Sequence, residues 1–284
     1  MNRLIHIAII CTLIFSFSAC HHKEKHTAIS PPHHDTTSLK HADLAQQDSL
    51  IQGLDHMIKD RCFDGATIGY IVMDFTKGMP VTIAEHNAKK GMVPASTQKI
   101  FITGAALELF GNSVAQEVTV TNQFSINWRA NRLLQKIGEK MYGKKDYIHG
   151  TRAVMDFWTS RGLDLSGVNL VDGSGRSHDN CLTPHQLADL LYKMTTSHYF
   201  PIFYNSLPLA GISGTMHRWL KGTDGERRVR AKTGSLDKVR SYAGYVHTVT
   251  GKRLIFAVIV NDYNCRTKVL KSKMEDVLVR MAEL

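Results

Sequence analysis

The sequence predicts an α+β fold in which strands near both ends of the chain build one antiparallel sheet. N- and C-terminal helices flank it, and a mainly helical block lies between the two halves. Three patterns carry this reading. Strand-like runs at 66–74 and 81–85 surround the turn-forming Thr76-Lys77-Gly78-Met79-Pro80, and two more at 239–249 and 254–261 surround Thr250-Gly251-Lys252. Helical periodicity marks 42–60 and 268–282. The middle of the chain reads as successive helices.

In order, Met1-Asn2-Arg3, an apolar stretch over 4–17 and the small Ser18 and Ala19 read as a secretory signal, too short to span a membrane comfortably. The stretch resembles a bacterial lipoprotein signal, cleaved before a Cys20 that is then lipidated, although Phe17 stands where a small aliphatic residue is usual. Residues 21–41 are polar, His-rich and without periodicity, so they read as a flexible tether whose histidines are solvated rather than metal-bound. The folded domain is expected over 42–284, with the sheet drawn from about 42–90 and 235–284 and the helical part from about 91–234.

Leu44, Leu50, Ile51, Leu54, Met57 and Ile58 recur at helical spacing and mark a first helix that covers a sheet. The strands at 66–74 and 81–85 should pair as a hairpin. A helix of about four turns follows Pro94 and stops at Gly111, a residue suited to a helix C-terminus. After it, a short run rich in Thr and Val leads to Ser125. Further helices are expected at 127–141 and about 150–160. Thr183-Pro184-His185-Gln186 is a capping box with proline at the first helical position, so a helix runs from there to Met194. A loop over 207–215 then leads to a short helix near Trp219. No internal repeat is present.

With 284 residues, 43% of them hydrophobic, the chain is long enough for one large domain or two modest ones. A formal charge of +10 suits an anionic envelope polymer or a membrane surface. Nucleic acid is disfavoured, because no zinc spacing, RNA-binding aromatic signature or long Lys/Arg block accompanies the charge. Beyond Cys20, the cysteines Cys62, Cys181 and Cys265 are odd in number and far apart, which argues against a disulfide framework and against zinc but leaves room for one bridge.

The chemistry centres on Ser96-Thr97-Gln98-Lys99. On a helix, Lys99 lies one turn from Ser96 on the same face, which brings an amine to a hydroxyl. Serine is inert without a base, and a lysine desolvated by apolar neighbours or held near a second cation loses its proton near neutrality. The helix N-terminus adds backbone donors where an oxyanion would form.

Two more pieces join it: Ser125-Ile126-Asn127 and Lys232-Thr233-Gly234. Three such motifs in this order are those of penicillin-binding proteins and class A β-lactamases. Around them stand Asp172-Gly173-Ser174-Gly175-Arg176-Ser177-His178-Asp179-Asn180, Leu207-Pro208-Leu209-Ala210-Gly211 with Gly214-Thr215, Val229 to Leu236, and Ala243-Gly244-Tyr245. Together they resemble the D-alanyl-D-alanine carboxypeptidase/endopeptidase family of low-molecular-weight class C penicillin-binding proteins, from about residue 42 to the C-terminus.

The resemblance implies the β-lactamase/DD-peptidase-like fold. It also implies that Ser96 attacks the penultimate D-alanine carbonyl of a peptidoglycan stem peptide, forming an acyl-enzyme that β-lactams also form. Lys99 would take the serine proton, and Ser125 and Asn127 would relay a proton to the leaving amine and hold the substrate backbone. Lys232 and Thr233 would bind the terminal carboxylate, Gly234 would keep the strand edge open, and the backbone N–H groups of Ser96 and Ser235 would form the oxyanion hole. Mutual repulsion of the two ammonium groups would lower both pKa values, leaving Lys99 as base. The glycine-rich loop would serve as scaffold and cleft wall. No cofactor or metal is implied, and the expected setting is periplasmic, lipid-anchored at Cys20 in a bacterial envelope.

Members of that family usually carry a large insertion between the first two motifs, whereas here Ser96 and Ser125 stand 29 positions apart. The chain is still long enough to return: about 21 Å of helix out, and up to roughly 50 Å of extended chain back. On this resemblance the shortening removes a helix that leads into the second motif. Ile126 also replaces an Asp often found there. The competing readings are a non-catalytic, peptidoglycan-binding envelope lipoprotein and a serine β-lactamase. The latter needs a deacylating carboxylate, for which the segment between Ser125 and Lys232 offers no Glu-centred motif.

Overall fold

The computed structural model describes residues 36–284; the expected signal, Cys20 and the tether as far as residue 35 lie outside the described residues. The first helix, α1 (Thr36–Ile58), begins earlier than expected, so 36–41 is helical backbone rather than tether. Leu39, Lys40 and Ala42 are good helix formers and extend the periodic run toward its N-terminus. No helix among the described residues is long and apolar enough to cross a membrane.

Strands β1 (Thr67–Asp74) and β2 (Val81–His86) form the expected antiparallel hairpin. The helical block contains α2 (Lys99–Phe110), α3 (Ala115–Phe124), α4 (Asn127–Tyr142), α5 (Tyr147–Ser160), α6 (Pro184–Thr195) and α7 (Phe200–Ser206). Strands β3 (Val229–Leu236), β4 (Val239–His247) and β5 (Arg253–Asn261) and the closing helix α8 (Thr267–Glu283) complete it. The sheet order is β2-β1-β5-β4-β3, every neighbouring pair antiparallel. Pairing of β1 with β5 joins the two ends of the chain in one sheet, as the pattern predicted.

Both faces of that sheet are covered, which explains why β5 is a nearly continuous apolar run. Ile255, Ala257 and Ile259 point into the core beneath the helical block, whereas Leu254, Phe256, Val258 and Val260 point into the core beneath α1 and α8. Alternation with period two assigns each residue its side.

At the centre of the helical block sits α2. Every residue from Lys99 to Leu107 is buried, so this helix is enclosed on all sides rather than amphipathic. Gly104 allows the Trp158 ring to lie against it, and Trp158 Nε1 donates to Phe101 O at 3.0 Å. The capping box at Thr183 forms as read, Gln186 N donating to Thr183 Oγ1 and Thr183 N to Gln186 Oε1, each at 3.0 Å.

Four local expectations are corrected. Residues 115–124, expected only as a run of Thr and Val, form α3, because burial of Val118, Thr121 and Asn122 outweighs weak intrinsic helix preference. Helix α7 was not foreseen. No α-helix forms at Trp219; a single 3₁₀ turn, Gly214–Met216, precedes it, and the indole packs against Tyr242 with ring centroids 5.1 Å apart. The second half of the sheet begins with β3 at Val229, ahead of the expected boundary near 235, because Lys232-Thr233-Gly234 is itself strand.

Among the described residues, a disulfide joins Cys62 to Cys265 and Cys181 is free. It ties the segment after α1 to the loop after β5.

Candidate active site

Ser96 lies in a 3₁₀ turn, Ala95–Gln98, that runs into α2 at Lys99. The predicted helix is therefore present, but its first turn is tighter than an α-helix. Ala95 is held at φ 48°, a left-handed conformation that is strained for alanine. The turn leaves Ser96 half-exposed while Lys99 is wholly buried.

Lys99 Nζ is 2.7 Å from Ser96 Oγ and 2.8 Å from Asn127 Oδ1, and it also donates to the carbonyl of Ser174. This set orients a neutral amine. Two of its N–H groups go to Asn127 Oδ1 and Ser174 O, neither of which can donate in return, so once deprotonated the amine has its lone pair available to the Ser96 hydroxyl, which otherwise donates to Ser174 O. Burial pulls the Lys99 pKa down from 10.5 to about 7; the Asp172 carboxylate opposes that shift and the Arg176 guanidinium adds to it. Burial likewise pushes Lys232 well below its ordinary value, with Lys99 as a second cause. Desolvation is thus the main cause at both amines, and the mutual repulsion expected from the sequence is secondary to it.

Ser125 closes α3 in the left-handed conformation, φ 55° and ψ 41°, and its N–H and that of Ile126 both donate to Thr121 O. That reversal lets Asn127 open α4 immediately. Ser125 and Asn127, two apart, reach the two lysines: Ser125 Oγ accepts from Lys232 Nζ at 2.9 Å, and Asn127 accepts from Lys99. The second motif is therefore in place, and a helix does lead into it, contrary to the loss expected from the short spacing.

Lys232, Thr233, Gly234 and Ser235 lie on β3, the last strand of the sheet, which pairs with β4 and on its outer side is bridged by Leu209 at Arg230, ahead of Lys232. Lys232 is buried and also donates to Thr233 O at 2.7 Å, Thr233 Oγ1 donates to Thr215 Oγ1 at 2.8 Å, and Ser235 is exposed. A Cβ on Gly234 would fall 2.1 Å from Ser241 Oγ, 2.9 Å from Pro94 O and 3.0 Å from Ser96 N. Glycine here lets β3 press against the Ser96 turn; its bare side faces inward, not along the open edge as expected.

The glycine-rich loop does more than wall the cleft. The Asp172 carboxylate accepts from the backbone N–H groups of Ser174, Gly175 and Ser177 at 2.6–2.9 Å and from Ser174 Oγ at 2.9 Å. Burial raises its pKa, but these donors leave the carboxyl below its ordinary value. So folded, the loop aims Ser174 O at both Lys99 and Ser96 Oγ, the latter at 3.3 Å. Gln98 Nε2 donates to Asp172 O, and Asn131 Oδ1 on α4 accepts from Gly173 N, anchoring the loop to both helices.

The sequence model of the D-Ala-D-Ala carboxypeptidase 3 (S13) family matches residues 50–122 and 114–284. The chain belongs to this family. Over 166 residues, 57% of this chain and 30% of the relative, it is 31% identical to a D-alanyl-D-alanine carboxypeptidase of Actinomadura sp. strain R39. The chain spans about a third of the length of the curated relatives it matches. Among solved structures, Haemophilus influenzae penicillin binding protein 4 (dacB), crystallised with a β-lactam, superimposes with a TM-score of 0.70 at 14% identity, over 83% of this chain and 98% of that one. The TLA-3 extended-spectrum β-lactamase gives 0.65 at 17% identity, over 84% and 98%. At such identities the superpositions establish the β-lactamase/penicillin-binding-protein fold.

In this S13-family chain the Ser96, Ser125 and Lys232 motifs are brought together in space. Ser96, Lys99, Ser125, Asn127 and Lys232 are joined by direct contacts, with Thr233, Gly234 and Ser235 continuing along β3. Sequence reasoning missed Ser174, whose contribution is a backbone carbonyl, and Thr215. Only the Asp-Gly-Ser-Gly run hinted at the former, since such a run favours a turn folded around its own carboxylate.

Among the described residues, no group of three or more His, Cys, Asp or Glu is placed to hold a metal ion.

Proposed function

We propose that the chain is a serine-type D-Ala-D-Ala carboxypeptidase or endopeptidase that acts on peptidoglycan stem peptides and is acylated by β-lactams. The observation that supports it best is the buried Lys99 amine, its pKa pulled down to about 7, lying 2.7 Å from the partly exposed Ser96 hydroxyl. In the reaction, Ser96 Oγ bonds to the penultimate D-alanine carbonyl carbon as its proton passes to Lys99. The oxyanion forms beside the Ser96 N–H, against which β3 is packed. The peptide C–N bond then breaks as the proton held on Lys99 passes by way of Ser125, which Lys232 holds, to the leaving D-alanine amine, returning Lys99 to its neutral form. Water next splits the ester, releasing the shortened peptide and restoring the Ser96 hydroxyl.

Thr233 and the exposed Ser235 lie along the open edge of β3, suited to a terminal carboxylate and an extended peptide. Lipidation at Cys20 and a periplasmic, membrane-tethered location belong to the same reading, supported by the N-terminal signal pattern and by the Cys62–Cys265 bridge, which suits an oxidising compartment.

The test is labelling of the purified full-length chain with a fluorescent penicillin. A stable covalent label that Ser96→Ala abolishes supports the peptidase. No label at high drug concentration points to a non-catalytic binding protein, and rapid release of hydrolysed drug to a β-lactamase.

A further inference from the structure

Helices α3 and α4 are joined only by the left-handed Ser125 and the extended Ile126, so the angle between them decides where Ser125 and Asn127 point. Glu117, in the first turn of α3, bridges that angle. Its nearly buried carboxylate accepts from Arg132 Nε at 2.9 Å through Oε1 and from Lys136 Nζ at 3.0 Å through Oε2. Both partners lie on α4, four residues apart and therefore on one face. At the other end of α3, Thr121 Oγ1 donates to Glu117 O at 2.6 Å, and Thr121 O receives the N–H groups of Ser125 and Ile126. One short helix thus carries a two-armed ionic clamp at its start and the reversal at its end. The two segments matched by the family model also meet here, over 114–122.

We propose that Glu117 is a positioning residue, holding α4 at the angle to α3 that sets Asn127 against Lys99 and Ser125 against Lys232. The inference rests on the peptidase reading above. Burial raises the Glu117 pKa, but the Lys136 and Arg132 bonds leave the carboxylate below its ordinary value, so it stays charged at neutral pH. Without it, two cations face a buried site that no longer holds them, and the corner opens.

The experiment measures penicillin acylation of the full-length chain, resolved into the rate at saturating drug and the half-saturating concentration. Glu117→Gln should lower the saturating rate about 10- to 100-fold, the effect of a misplacement near 1 Å, with little change in half-saturation because Thr233 and Ser235 lie on β3 outside the clamp. The double variant Arg132→Gln/Lys136→Gln should reproduce that loss, and each single variant should give a smaller one. A merely structural role would lower the melting temperature without slowing the chemical step in folded protein. If Glu117→Gln does not fold, the Arg132 and Lys136 variants carry the test, since both side chains are partly solvent-exposed. Wild-type saturating rates in folded variants, or a loss confined to half-saturation, overturn the proposal. Failure of the unmodified chain to be labelled overturns the peptidase reading and this inference with it.

Discussion

Lys232 Nζ lies 2.9 Å from Ser125 Oγ, a contact between the sheet edge and a helix corner 107 positions away in the chain. Through Asn127, two residues on, the same corner touches Lys99. Two buried amines are thus held on either side of one reversal, and the pH behaviour of the chain follows from their burial.

Acylation requires Lys99 neutral. Its rate should rise with pH to a midpoint at about 7 and level off above it, falling tenfold per pH unit on the acid side. Arg176 adds to the lowering of that pKa, so Arg176→Gln should move the midpoint to higher pH. Second-order penicillin acylation rates across pH check both; a midpoint unmoved in the variant would remove Arg176 from the account.

Stability should rise with pH from about 7 to about 10. In that interval the unfolded chain binds a proton at Lys99, ordinary pKa 10.5, that the folded chain has released, a slope of about 1.4 kcal/mol per pH unit for this one group. Lys232 acts in the same sense. Above about 10 the sign reverses: burial pushes Tyr70 up to about 12 and raises Tyr242 and Tyr245 too, so the folded chain keeps protons that the unfolded chain loses. Urea unfolding at a series of pH values should show the maximum, and a flat profile between neutrality and pH 10 would contradict the burial of both amines.

Gly175→Ala should abolish labelling and destabilise the fold by more than Gly167→Ala does. Both glycines have left-handed φ, 78° and 74°, so both replacements carry the conformational cost of about 1 kcal/mol. Only at Gly175 would the new Cβ meet backbone, 1.9 Å from Ala95 O, while at Gly167 nothing lies within 4 Å. Because Ala95 precedes Ser96, the loop must retreat and take Ser174 O from Lys99. Equal effects of the two substitutions on labelling would refute this.

Reduction of Cys62–Cys265, or Cys265→Ser, should cost about 2–4 kcal/mol of stability. It should leave the acylation rate of folded protein unchanged, because the bridge belongs to the core under α1 and α8 rather than the one under the helical block. Denaturation with and without reductant, paired with labelling, measures both effects.

What was legible in the sequence was local. The capping box at Thr183 is written in four adjacent residues, and the β1–β2 and β4–β5 hairpins in strand-like runs around a turn-forming pentad and triplet. What it misjudged depended on burial: α3 has poor helix formers but a covered face, and β3 looked like the end of the helical part because its edge position does not alter its local pattern.

The same division holds at the site. Spacing alone placed Ser96 and Lys99 together, because a helical turn brings the amine to the hydroxyl whatever surrounds them, while Ser125, Asn127 and Lys232 were named through the motif resemblance. Only the tertiary structure decided that burial brings the Lys99 pKa down to about 7, that the carbonyl of Ser174 accepts one of its hydrogen bonds, and that Cys62 pairs with Cys265. Desolvation and through-space contact belong to the packed chain as a whole, and no short stretch of sequence contains them.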